Sequence, residues 1–171
     1  MGPVSASIEV DVPRERAFAF VADLANRPSF TDHFVSGFHL SRLASSGVGA
    51  GARFRFDVPL HPTWMESAIA ELEAPHLIVE RGRGGRGNRV PSTTAWELLE
   101  GPGPLTTIRV SYRTEPAHPV DRAREGLGAA RHYERDWRRA LRRLRDLLES
   151  EAPPAATVGV AGGNRHATGV P

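Results

Sequence analysis

The sequence predicts an α+β domain with an antiparallel sheet of seven strands, two short helices after the first strand and a long C-terminal helix. Three observations carry this. Val4, Ala6, Ile8 and Val10 alternate with Ser5, Ser7, Glu9 and Asp11, the period-two pattern of a strand with one buried face. Between residues 38 and 114 similar runs recur, separated by short turn-rich connections. After Pro119 the apolar residues change to spacings of three and four, the period of an amphipathic helix.

Taken in order, the first strand is followed by Pro13, which suits a first helical turn because its missing N–H costs nothing there. Ala17, Phe18, Phe20, Val21 and Leu24 then form an apolar stripe, so a short helix is expected. Pro28 is expected to break it. Phe30, Phe34 and Val35 suggest a second short helix ending at Gly37. Six further strands are expected at about 38–43, 51–58, 63–73, 76–82, 92–100 and 105–114. The clearest of them sets Thr106, Ile108, Val110 and Tyr112 against Thr107, Arg109, Ser111 and Arg113. Connections this short favour an antiparallel meander, since each parallel crossover needs a dozen or more residues.

Pro119 and Asp121 open the final helix, with Ala130, Tyr133, Trp137, Leu141, Leu144 and Leu148 on its apolar face. Its other face mixes arginines with Glu134, Asp136, Asp146 and Glu149, which reads as solvated surface laced with ion pairs. Residues 1–151 are therefore expected to form one domain. Residues 152–171, rich in Pro, Ala, Gly and Thr, lack the large apolar side chains needed to offset ordering entropy and are expected to be a disordered tail.

Bulk composition chiefly excludes. The net charge is +2, all 22 basic residues are arginine and the acids number 20. Arginines interleaved with acids are unlike the clustered basic face of a nucleic-acid binder, so no nucleic-acid partner is expected. No run approaches the roughly 18 apolar residues of a membrane helix, and the first residues lack the basic-then-apolar layout of a secretory signal, so stable membrane insertion is not expected and the expected location is cytoplasmic. Cysteine is absent, which removes disulfides and thiolate chemistry.

Asp23 followed by Pro28 and Phe30, the glycines 47, 49 and 51 ahead of the third strand, and Glu71 with Pro75 between the fourth and fifth strands resemble, in order and spacing, the START-like (SRPBCC, helix-grip) superfamily, and within it the polyketide cyclase/dehydrase-like branch. The resemblance spans residues 4–149 and implies a sheet that grips the last helix around a ligand cavity. Phe30 stands where Trp is frequent in the family, and Gly103, Pro104 and Leu105 replace a usual Gly-Thr pair. After Trp64 the strand reads Met65, Glu66, Ser67, Ala68, Ile69, without the arginine that aromatase/cyclase members tend to carry.

The dry face of such a sheet either packs as core or lines a pocket. The inward set expected from strand phase is Phe54, Phe56 and Val58, then Trp64 with Glu66, then Trp96 and Leu98, then Ile108, Val110 and Tyr112. The helix is expected to add Ala130, Tyr133 and Trp137. Small residues Gly126, Gly128, Ala129 and Ala130 place the cavity mouth at the start of the final helix, because glycine there costs about 1 kcal/mol relative to alanine and so marks space or a bend. Tyr112 and Tyr133 are the preferred polar contacts, and Glu66, if inward, would be a carboxylate with a raised pKa suited to proton transfer.

His61 and His118 sit on loops without the spacing of a metal site, so neither a metal nor a cofactor is expected. The segment 82–89, Gly-Arg-Gly-Gly-Arg-Gly-Asn-Arg, joins strand to strand and lacks the strand-to-helix context of a phosphate loop, so it reads as a hairpin connection. No catalytic set is assigned. An apolar inward face without a nucleophile favours binding of a hydrophobic or amphipathic small molecule over catalysis. The alternative is a cyclase, dehydratase or aromatase in which Tyr112, Tyr133, Glu66 or His61 moves protons. The sequence leaves the ligand and the oligomeric state open.

Overall fold

The computed structural model describes residues 1–59, 62–126, 129–150, 157–160 and 163–166. Seven strands form an antiparallel sheet: β1 (Val4–Asp11), β2 (Val35–Leu40), β3 (Gly51–Phe56), β4 (Thr63–Glu73), β5 (Leu77–Gly84), β6 (Val90–Glu100) and β7 (Leu105–Thr114). Their order across the sheet is β1-β7-β6-β5-β4-β3-β2. Five of the six pairings among these strands join chain neighbours, as in a meander; the sixth closes β1 on β7, with Ile8 opposite Ile108 and Ala6 opposite Val110. The strict alternation read in these two strands therefore meets face to face, and Val4, Ala6, Val10, Ile108, Val110 and Tyr112 are all buried.

Between β1 and β2 lie α1 (Arg14–Ala22), a 3-10 turn (Leu24–Asn26) and α2 (Arg27–Thr31). The second helix is thus earlier than expected, and Val35 and Gly37 belong to β2. The reason is local. Asp23 Oδ1 accepts from the Ala25 backbone N–H at 3.0 Å, which starts a new turn, and Pro28 falls in the first turn of α2, where proline starts a helix without loss of a hydrogen bond. Gly37, with φ +58°, takes a left-handed conformation within β2 that glycine adopts at little cost.

The final helix is two elements, α3 (Pro119–Gly126) and α4 (Ala129–Glu149), where one helix was expected. α4 buries Tyr133, Trp137, Ala140, Leu141, Leu144 and Leu148 against the sheet. Each leucine so buried contributes roughly 1.5–3 kcal/mol of transfer free energy. Glu149 fastens the far end, accepting from the Asp11 backbone N–H at 2.9 Å. A long helix held in the curl of an antiparallel sheet is the helix-grip arrangement. Of the segment 152–171, the described residues form β8 (Thr157–Val160), which runs parallel to β2 at His39 and Leu40, and β9 (Gly163–His166), which pairs with β8. The open edge of β2 offers unpaired backbone groups for such an addition. Residues 152–156, 161–162 and 167–171 of the expected tail lie outside the described residues.

Glycines in β5 set how closely it meets its neighbours. A Cβ on Gly84 would fall 1.9 Å from Met65 Sδ and 2.8 Å from the Trp64 carbonyl oxygen. Met65 therefore lies across the glycine as part of the inner layer. Gly84→Ala is expected to destabilise by about 1–3 kcal/mol through this overpacking, and a thermal-denaturation curve showing an unchanged midpoint would contradict the packing.

Candidate functional site

Strand direction decides where the site lies. In a meander the starts of β4 and β6 and the ends of β3, β5 and β7 come to one end of the sheet, and the start of α4 lies over that end. A cavity of about 490 Å³ opens there, within the usual range for small-molecule sites. The sheet side of the wall is Thr63, Trp64 and Met65 of β4, Gly84 of β5, Val90 of β6 and Tyr112 and Thr114 of β7. Val58 and Pro62 close one flank, Gly85 and Arg86 of the β5–β6 turn the other, and Met1 lies beside Thr114. Asp121, Ala129 and Tyr133 form the helical side.

Aromatic rings close the inner end. The Tyr112 and Tyr133 rings are 5.1 Å apart, and Phe56 stands edge-on to both, at 5.5 and 5.2 Å. Phe34 stacks on Phe56 at 5.7 Å and meets Trp137 at 5.2 Å. These offset and edge-to-face contacts are the favoured aromatic geometries, so the floor is rigid, while the mouth is built from turns.

The mouth is polar. Arg89, on the β5–β6 connection, donates through Nε and a terminal nitrogen to the two carboxylate oxygens of Asp121, at 2.8 and 3.1 Å. This fork fastens the glycine-arginine connection to α3, and the bond to Asp121 raises the Arg89 pKa above its ordinary value. The Met1 amino group donates to the Thr114 carbonyl and hydroxyl oxygens at 3.1 and 3.0 Å. His118 sits outside the wall and accepts from the Val120 backbone N–H at 3.3 Å, at the start of α3; His61 lies outside the described residues. No group of three or more metal-ligating side chains occurs among the described residues.

The residues singled out from the sequence separate into three groups. Val58, Trp64, Tyr112 and Tyr133 line the cavity. Phe56, Trp96, Leu98, Ile108, Val110 and Trp137 are buried core away from the wall, and half-buried Phe54 stacks on Phe38 at 5.7 Å. Glu66 and Ala130 are corrections. Glu66 is 54% exposed on the outer face of the sheet, paired across strands with Arg53 at 3.8 Å and accepting from Asn88 at 3.2 Å. Trp64 shares that outward phase although it borders the cavity: it is 46% exposed, with the Arg53 guanidinium 5.1 Å from its ring. The cause is a bulge in β4 between Ile69 and Glu71, which inserts one residue and reverses the phase. Leu72 does pack on the core, but counting back from it by twos selects Trp64 and Glu66, whereas the bulge makes Met65 and Ile69 its partners. Ala130 is exposed and Ala129 lines the wall, one residue round the helix.

The sequence reading also missed a buried charged cluster deeper in the core. The Arg27 guanidinium donates to Glu80 Oε1 at 2.6 Å, and Trp96 Nε1 donates to the same oxygen at 3.0 Å. Ser67 Oγ donates to Glu80 Oε2 at 3.4 Å. Arg27 also lies 4.6 Å above the Trp96 ring. Arg27 and Glu80 are only 6% and 4% exposed. The signal was present: Glu80 shares strand phase with Ile78, and Arg27 lies three residues before Phe30 on α2, so both were placed on apolar faces.

The family model for polyketide cyclase/dehydrase and lipid transport proteins matches residues 1–149. A search of the curated proteins finds no match. Among solved structures, the KanY protein superposes with a TM-score of 0.71 at 16% identity, covering 88% of this chain and 100% of that one. The Zhui aromatase/cyclase from Streptomyces sp. R1128 gives 0.66 at 18% identity, covering 86% and 93%. A START superfamily protein from Mycobacterium smegmatis gives 0.63 at 12% identity, covering 86% and 97%. Identities this low speak for the fold alone, whereas the family match spans the whole sheet and the gripped helix. The chain belongs to the polyketide cyclase/dehydrase and lipid transport family.

Proposed function

We propose that this protein binds and carries, or senses, a hydrophobic or amphipathic small molecule in the cavity between the start of α4 and the sheet. The observation that carries the reading is a cavity of about 490 Å³ with an aromatic floor and a wall containing Val58, Met65, Val90 and Ala129. Burying a ligand's apolar surface there contributes about 25 cal/mol per Å² before the costs of association. The carboxylate in the wall, Asp121, is engaged by Arg89, so a binding role accounts for the wall without assigning it proton transfer.

Native mass spectrometry of freshly purified protein, followed by extraction, tests this. A near-stoichiometric apolar compound is expected. The variant Ala129→Trp, which fills the cavity from a half-buried position, should lose that compound while keeping its thermal midpoint within a few degrees. Retention of the compound by the filled variant would place it elsewhere, and protein that is empty and ignores lipid and aromatic probes would refute the carrier.

A second reading is favoured by the adjacent Tyr112 and Tyr133 in the wall and by the likeness to an aromatase/cyclase. In it the cavity folds a reactive polyketide-like chain and a tyrosine hydroxyl assists proton transfer. Turnover of a poly-ketone substrate that falls at least tenfold in Tyr133→Phe, with binding retained, would support that reading over carriage.

A further inference from the structure

The charge balance at the cavity mouth narrows the chemistry of the ligand, on the reading that the cavity binds one. The wall holds two side chains of opposite formal charge, Asp121 and Arg86, and the Met1 amino group, which donates to the Thr114 oxygens. Both oxygens of Asp121 are taken by the Arg89 fork, so that carboxylate is already neutralised by a residue outside the wall. Arg86 is different. It is exposed on the short helical turn Arg86–Asn88, flanked by Gly85 and Gly87 at φ +75° and +68°, and has no carboxylate partner among the described residues. The described wall therefore presents an apolar interior with one uncompensated guanidinium at its rim.

We infer that the ligand is an amphipathic monoanion, a carboxylate on an apolar body, whose head meets the Arg86 guanidinium while the body lies over Met65, Val58 and Tyr133. A carboxylate matches a single guanidinium in charge and in its forked hydrogen-bond geometry. A neutral alcohol would leave the rim charge unused, and an ammonium head would be repelled by it. The glycines on either side of Arg86 leave its backbone free to bring the guanidinium to the head group, and the Arg89 fork to Asp121 keeps the rest of the connection attached to α3.

The test compares three probes of one chain length, sodium dodecanoate, 1-dodecanol and dodecylammonium, by displacement of a fluorescent apolar dye at pH 8 and low salt. Dodecanoate is expected to bind at least about tenfold more tightly than dodecanol, which is about 1.4 kcal/mol, and dodecylammonium more weakly than either. The preference should shrink in 1 M NaCl, where the screening length falls to about 3 Å. Arg86→Gln should remove the preference for dodecanoate with dodecanol affinity unchanged, and Arg86→Glu should reverse it in favour of dodecylammonium. Arg86 is solvent-exposed, so neither change should disturb folding, and a circular dichroism melt verifies this. Equal binding of dodecanoate and dodecanol, or a preference that survives Arg86→Gln, would overturn the inference while leaving the carrier reading standing. Failure of all three probes to displace the dye would overturn both.

Discussion

Glu80→Gln will cost this protein about 3–5 kcal/mol of folding stability, among the largest losses expected from a single polar substitution. The carboxylate lies in the core between the Arg27 guanidinium and the Trp96 indole, with both charged partners almost fully buried. Taking a charge out of water is costly, and here each ion offsets the other's desolvation. Removing one charge strands the other, which is why loss of one partner from a buried pair is so destabilising. The pair as a whole need not be stabilising against an apolar replacement. The double variant Arg27→Met with Glu80→Met should therefore recover most of what Glu80→Gln loses. Urea denaturation of the two variants decides it. A Glu80→Gln midpoint equal to that of the parent would mean that the pair is solvated, contrary to its burial.

Trp137→Ala is expected to cost a similar 3–5 kcal/mol, for a different reason. The indole fills the space between α4 and the sheet, edge-on to Phe34 at 5.2 Å and Trp96 at 5.5 Å, and removing it leaves a cavity that rigid neighbours fill poorly. The conservative replacements separate packing from hydrogen bonding. Trp137 Nε1 is buried and has no acceptor among the described residues, so Trp137→Phe gives up no hydrogen bond and relieves an unsatisfied donor. Trp96→Phe gives up the bond to the Glu80 carboxylate. A hydrogen bond to a charged group contributes about 1.5–3 kcal/mol, so Trp96→Phe should be the more destabilising of the two by roughly that amount. The reverse order in matched denaturation curves would show that Trp137 Nε1 has a partner, such as a buried water.

These expectations bear on function through the floor of the cavity. Tyr133 is one helical turn before Trp137 and shares with it the buried face of α4. Loosening Trp137 would let that turn shift and change the cavity's depth without touching its wall. Ligand affinity in Trp137→Phe, compared with that in the parent, measures how far core packing sets the shape of the site.

The sequence by itself determined the seven strands of the antiparallel sheet, the helical segment after the first and the long final helix, in that order. The alternation in β1 and β7, the three-and-four spacing of α4 and the turn residues between strands are local patterns, and each reports which side of its own element is buried. Of the small residues read at the start of the final helix, Ala129 lies in the wall of the cavity. Only the tertiary structure decided which buried residues form core and which form wall. Phe56, Trp96 and Tyr112 follow the same inward alternation, yet of the three Tyr112 alone lines the cavity; Trp96 lies in the middle of β6, and Phe56, although at the cavity end of β3, packs edge-on against the Tyr112 and Tyr133 rings. The β4 bulge reversed the phase of Trp64 and Glu66, and a bulge arises from pairing with β5, which strand periodicity does not contain. Arg27 and Glu80 are 53 residues apart, and a buried charge is stable only because its partner arrives from another element. Period and composition are properties of a segment, whereas a site is a property of several segments meeting.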